Sequence, residues 1–213
     1  MKRLLFTLTI LSILSCSKAK ESMQDAVTGA MEKAIENQTG TQVDLPDAAD
    51  LDKNNGSISY KSESKVYLKG TERMQASAIF QKDQDGLSIG FTLSGESGSS
   101  MIAIVNHIPE DFSLPLKGKF AVSNRYDGKT PVATIMYMNV TENGMMASEI
   151  PYEGELTITK LSKTEMAFEI NGKGGDPTDA ESPSNWKKIT GTGKLEYPII
   201  QSYGIDKNNV LKQ

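Results

Sequence analysis

The chain has one cysteine and one histidine in 213 residues. A single Cys16 excludes an internal disulfide framework and every zinc site built on paired thiolates. A single His107 excludes a multi-histidine metal site. Phe, Trp and Tyr make up only 7% of the chain, thin material for a sugar-stacking platform. Net charge is −4, so phosphates are repelled, which argues against nucleic acid as a partner. Long apolar runs are also missing. The longest, Leu4 to Leu14, is about eleven residues or roughly 16 Å as a helix, against about 30 Å of hydrocarbon.

What is present begins with that short run. Lys2 and Arg3 precede it as a positive n-region, the pattern of a cleaved export signal rather than of a span. Its end, Ile13-Leu14-Ser15-Cys16, resembles the lipobox of bacterial lipoproteins. The resemblance implies a signal peptide over residues 1–15, cleavage after Ser15, and a diacylglyceryl thioether on Cys16, with the bilayer as partner. Two or three acyl chains together anchor stably where one holds only marginally. Ser17 in place of Asp after the cysteine implies the outer membrane, with the periplasmic and surface faces both open. The plain alternative is an ordinary secretory signal followed by an unrelated thiol. Loss of Lys2 and Arg3 with the signal moves the charge from −4 to −6, since −4 − 2 = −6.

After a tether over 16–21, residues 22–38 read as an amphipathic helix. Met23, Val27, Ala30, Met31, Ala34 and Ile35 fall on one stripe, with Ser22 as N-cap. The stripe needs cover, since so short a helix is marginal alone. The protein's own sheet, self-association or an envelope protein partner, and the membrane interface are the three options. Residues 39–56 read as a polar linker ending in the Asn55-Gly56 turn signal. Asp50-x-Asp52-x-Asn54 imitates the start of an EF-hand, but Lys61 stands where the bidentate glutamate belongs.

From 57 to 197 the period becomes two. Met74, Ala76, Ala78 and Phe80 alternate with polar neighbours, and Leu87, Ile89, Phe91 and Leu93 return the pattern after Asp85-Gly86, predicting an antiparallel hairpin. Further alternation at Val132–Val140, Leu156–Ile170 and Trp186–Tyr197 predicts about nine or ten strands in a mainly β fold, an antiparallel sandwich or partly closed barrel beside one N-terminal helix. The tail 198–213 is weakly periodic and expected to cover an edge or fray. The methionines, Met136, Met138, Met145 and Met146 among them, are expected to fill an irregular core.

The catalytic inventory is thin. No serine sits in a nucleophile-elbow pattern, His107 is followed by Ile108-Pro109, and Glu110 and Asp111 diverge if extended. Neither a catalytic residue, a metal site nor a cofactor is assigned. The candidate ligand site is the loop carrying Asp176, Asp179 and Glu181 and ending at Trp186, which could hold calcium and stack a sugar, or could be a solvated insertion with Trp186 packed at a sheet end. The layout of lipobox, helix, Thr39-Gly40, Val43-Asp44-Leu45 and a Pro109-Glu110-Asp111-Phe112 loop is similar to small bacterial envelope lipoproteins over about residues 1–118. That resemblance implies an address without an activity. The expectation is a lipid-anchored envelope protein that binds or scaffolds rather than catalyses, with a small-ligand or carbohydrate carrier as alternative and a hydrolase behind it.

Overall fold

The computed structural model describes residues 29–30, 32–34, 36–37, 42–44, 50–63, 65–69, 73–96, 98–122, 127–138 and 149–211. Cys16 and residues 1–15, expected to be a signal peptide, lie outside them, as do Met23, Val27, Met31 and Ile35 of the expected helix stripe. The described residues between 29 and 37 are helical, and Ala30 and Ala34 there are exposed.

Among the described residues the fold is mainly β. Its strands are β1 Gln42–Asp44, β2 Asn55–Ser62, β3 Lys65–Leu68, β4 Met74–Asp83, β5 Gly86–Gly95 and β6 Ser100–Ile108. There follow β7 Leu116–Lys119, β8 Val132–Met138, β9 Ile150–Leu161, β10 Glu165–Gly175, β11 Lys187–Glu196 and β12 Ile199–Tyr203. They form one sheet in the order β1-β12-β4-β5-β6-β8-β7-β9-β10-β11-β2-β3, which returns on itself where β2 also touches β4.

The ring is not uniform. β4 and β5 share ten residue pairs, Met74–Gly95 to Asp83–Gly86, whereas β2 meets β4 only through Gly56–Met74 and β7 meets β8 only through Lys119–Val132. Two half-sheets result, β1-β12-β4-β5-β6-β8 and β7-β9-β10-β11-β2-β3, hinged at two one-pair seams. A glycine stands at each seam because the opposite half comes too close for a side chain. A Cβ on Gly118 would stand 2.8 Å from Val105 Cγ1, and one on Gly56 would overlap the Leu93 side chain.

Strand alternation decides which side chains face inward. On β4, Met74, Ala76, Ala78 and Phe80 are buried, and the small Ala76 and Ala78 oppose the large Leu93 and Phe91 of β5. The halves meet across one core: Phe91 of β5 stacks on Phe168 of β10 with ring centroids 5.3 Å apart. Tyr60, Phe80, Ile89, Leu156 and Ile158 fill the remaining interior. Each such side chain contributes on the order of 2 kcal/mol on leaving water.

Several expectations need correction. The sheet is not wholly antiparallel: β12 runs parallel to β4, and the β7–β8 contact is also parallel. The segment read as linker supplies β1, which pairs with β12, and β2 starts at Asn55. Of the two alternatives for the tail, covering an edge is the one found: it supplies β12 along β4, and Val210 is wholly buried. β1 and β12, three and five residues long, lie below the length at which alternation is visible, so more strands are present than expected. Met136 is 51% exposed rather than core, because Ala133, Ile135 and Tyr137 take the inner face of β8.

Candidate functional site

The loop between β10 and β11 is ordered by its own side chains. Asp176 caps the 3-10 turn Pro177–Asp179 by accepting from the Thr178 amide at 3.0 Å and the Thr178 hydroxyl at 2.9 Å. Those bonds hold the Asp176 carboxyl below its ordinary pKa. Asn185 Nδ2 donates to Asp179 Oδ1 at 2.8 Å, and Trp186 Nε1 donates to the Asp179 carbonyl at 2.9 Å. Trp186 is half-buried, its ring 5.5 Å from that of Tyr152, whose hydroxyl donates to the Asp176 carbonyl. Asp176 and Glu181 are exposed and Asp179 half-buried. The structure thus brings Asp176, Asp179 and Trp186 together, and their polar atoms serve the loop itself. No group of three or more His, Cys, Asp or Glu at metal-binding distance occurs among the described residues.

Beside this loop lies a cluster that no local motif announces. Tyr60 of β2, Tyr67 of β3 and Tyr137 of β8 pack with centroids 4.7 to 6.4 Å apart. Glu149, just before β9, ties them: the Tyr60 hydroxyl donates to its carbonyl at 2.7 Å, and its amide donates to the Tyr137 hydroxyl. Burial raises the pKa of all three phenols, that of Tyr137 to about 12. Burial also pushes the Glu149 carboxyl upward, but the Ser62 and Tyr67 hydroxyls and the Lys187 ammonium, 3.4 Å away, outweigh it and hold the pKa below its ordinary value. These groups lie close without ideal alignment, for neither Ser62 Oγ nor Glu149 Oε2 makes a well-directed hydrogen bond. Tyr60 is wholly buried, Tyr137 is 5% exposed and Tyr67 7%. The rings fill one another's space, so the cluster is a polar fastener between the half-sheets rather than an open cage for a cation.

His107 has a positive φ of 58° where β6 bulges, and its Nδ1 lies 3.0 Å from the Asp85 carbonyl. Glu110 pairs with Lys82 at 2.6 Å. An open cleft of about 510 Å³ is lined by Asn54, Arg73, Gln75, Ser94, Glu96 and Ile199. The Arg73 guanidinium is spent in part on the Asp52 carbonyl at 2.8 Å.

The outer surfaces of the half-sheets differ most. On β9, β10 and β11 the outward positions carry Glu153, Glu155, Lys160, Glu169, Lys173, Lys188 and Lys194, with Lys117–Glu155 and Lys160–Glu165 pairs at 2.7 Å. On the other half, the outward positions of β4 from Gln75 to Gln81, of β5 from Ser88 to Ser94, of β6 from Ser100 to Asn106, and of β12 are all uncharged. So are the outward Thr134 and Met136 of β8. Ile199, Ser77, Thr92, Ile102 and Met136 form one row across this face; Gln201, Ile79, Gly90, Ile104 and Thr134 form the next. Strand alternation shows each Ile and Met singly, but only the strand order reveals that they share a surface.

No family model, no curated protein and no solved structure matches this chain.

Proposed function

We propose that the chain is a lipid-anchored protein of the cell envelope, in the outer membrane, whose β-domain binds or scaffolds another macromolecule without catalysing a reaction. The anchor is supported by Ile13-Leu14-Ser15-Cys16, whose cysteine is the only one in the chain. The binding role is carried by one observation: the outward positions of β12, of β4 from Gln75 to Gln81, of β5 from Ser88 to Ser94, of β6 from Ser100 to Asn106, and Thr134 and Met136 of β8 carry no charge in a chain that is 23% charged. A solvent-facing sheet surface is ordinarily polar, and depletion of Lys, Glu and Asp around exposed Met and Tyr is the feature this face shares with contact surfaces. The one-pair seams favour a flattened, partly closed barrel over a sandwich of separate sheets.

Radiolabelled palmitate is expected to enter the wild-type protein and not a Cys16→Ala variant, which moves from the membrane pellet to the soluble fraction. Equal pelleting of both refutes the anchor. A second reading, a carrier of a small ligand, has the cleft at Arg73 in its favour. Arg73→Ala that abolishes saturable binding of a ligand found by screening would support it.

A further inference from the structure

The outer face of β12-β4-β5-β6-β8 has dimensions and chemistry that point to one occupant. Five strands about 4.8 Å apart and about seven residues long make a face of about 24 by 23 Å, or about 550 Å². Two such faces laid together remove about 1,100 Å² from water, close to the lower bound for a specific interface. Met136 at 51% and Ile79 at 36% exposure stand above the face, with Ile102, Ile104 and Ile199 half-buried around them. Gly90, between Ile79 and Ile104 in the register, leaves a depression at its centre. Arg73 and Glu96, of opposite sign, lie at one end of the face and supply a polar rim.

Charge selects the occupant. A chain of net charge −4 carries a small overall repulsion toward its own copy, and pairing through the β9-β10-β11 half would take its seven outward ionic side chains out of water. The uncharged face is the surface on which two copies meet without that cost. Aligned packing of two sheets, about 10 Å apart, is an established way for such faces to close. We propose that this face is the contact between two copies of the chain, which pair face to face as a symmetric dimer on the membrane. The inference names the partner within the scaffolding role above and rests on that role. An area near the lower bound suits copies confined to a surface, where tethering raises the effective concentration.

The test uses the full acylated chain in phosphatidylcholine–phosphatidylglycerol vesicles, with a bis-maleimide of about 10 Å reach, matching the sheet spacing. Thr92→Cys places a thiol in the middle of the face, Glu169→Cys places one on the charged half, and the unsubstituted chain controls for Cys16. A dimer is expected at least tenfold more from Thr92→Cys than from Glu169→Cys. Adding Ile104→Lys should bring the yield to the control level with far-ultraviolet dichroism unchanged. Equal yields from both thiols, or a yield that Ile104→Lys leaves intact, overturn the proposal. A Thr92→Cys thiol that neither crosslinks nor reacts with a soluble maleimide gives the face to the chain's own helix at 22–38; one that reacts freely but does not crosslink leaves it bare. Either result also overturns the dimer. An unlabelled chain that still crosslinks refutes the anchor and keeps the dimer, whereas a labelled chain that fails to crosslink refutes the dimer alone.

Discussion

Replacing Gly193 with alanine is the most direct probe of how the two half-sheets are held together. Gly193 lies on the inner face of β11, directly opposite Phe168 of β10. A Cβ there would stand 2.9 Å from Phe168 Cε2 and closer still to Cζ and Cε1. Phe168 cannot swing into solvent, since it is 1% exposed and its other face stacks on Phe91 across the core. Relief must come from displacing the ring by roughly 1 Å or more, which disturbs the aromatic stack as well. Overpacking of this kind costs about 2–3 kcal/mol. At about 2–4 °C per kcal/mol for a domain of this size, Tm should fall by about 4–12 °C. Urea unfolding followed by Trp186 fluorescence reads the change as a lower midpoint at unchanged slope. The outward Thr192→Ala on the same strand should stay within about 0.5 kcal/mol. Phe168→Leu removes the reach of the ring, so the double variant should be more stable than the sum of the single costs by about 1 kcal/mol. A Gly193→Ala cost below about 0.5 kcal/mol, or strict additivity with Phe168→Leu, refutes the packing argument.

Other perturbations have equally definite outcomes. The Glu149 carboxyl has a folded pKa below its ordinary 4.5, so its contribution is fully present above that value and is lost as pH falls through it toward the folded pKa. Glu149→Gln should therefore flatten the acid limb of the stability–pH curve measured by urea melts, and an unchanged limb removes this carboxylate from the account. Asn54 donates to the Ala76 carbonyl at 2.9 Å and the Tyr197 carbonyl at 2.8 Å and accepts from the Ala76 amide at 3.2 Å. Asn54→Ala should cost about 2 kcal/mol by calorimetry, because groups on β4 and in the β11–β12 turn lose partners at once. Calcium at about 1 mM should leave Trp186 emission and Tm unchanged, since Asp176 and Asp179 are engaged by Thr178 and Asn185. A saturable change in emission would show that the loop takes an ion after all.

Much of the framework is legible in the chain. The inward set Met74, Ala76, Ala78 and Phe80, its partner set Leu87 to Leu93 and the turn at Asp85-Gly86 all follow from period two and turn chemistry. β1, β3, β7 and β12 are three to five residues long, too short for a period to register. Pairing order is the larger loss. Nothing local states that β8 lies beside β6 or that β12 runs parallel to β4. The Tyr60–Tyr67–Tyr137 cluster and the division between charged and neutral exteriors depend on that order, so both escape a reading along the chain. Glu149 carries no motif; a carboxylate just before an apolar strand is too common a pattern to single out. For the loop ending at Trp186, composition identified the residues, and only their hydrogen bonds show how they are used.

The order in which the chain visits the two half-sheets bears on how fast it can fold. It lays down β1 in one half, β2 and β3 in the other, and continues to alternate until β12 closes beside β4. Neither half is contiguous in sequence, so neither can act as a folding unit that completes early and waits for the other. The closing strand lies near the C-terminus and pairs with residues more than a hundred positions back, from Ile199–Ser77 to Tyr203–Gln81. Loop-closure entropy must be met before those contacts return anything, which places the protein among the slow folders. Export in unfolded form, which the proposed anchor would require, would be served by that delay, because β12 follows its partner β4 by more than a hundred residues.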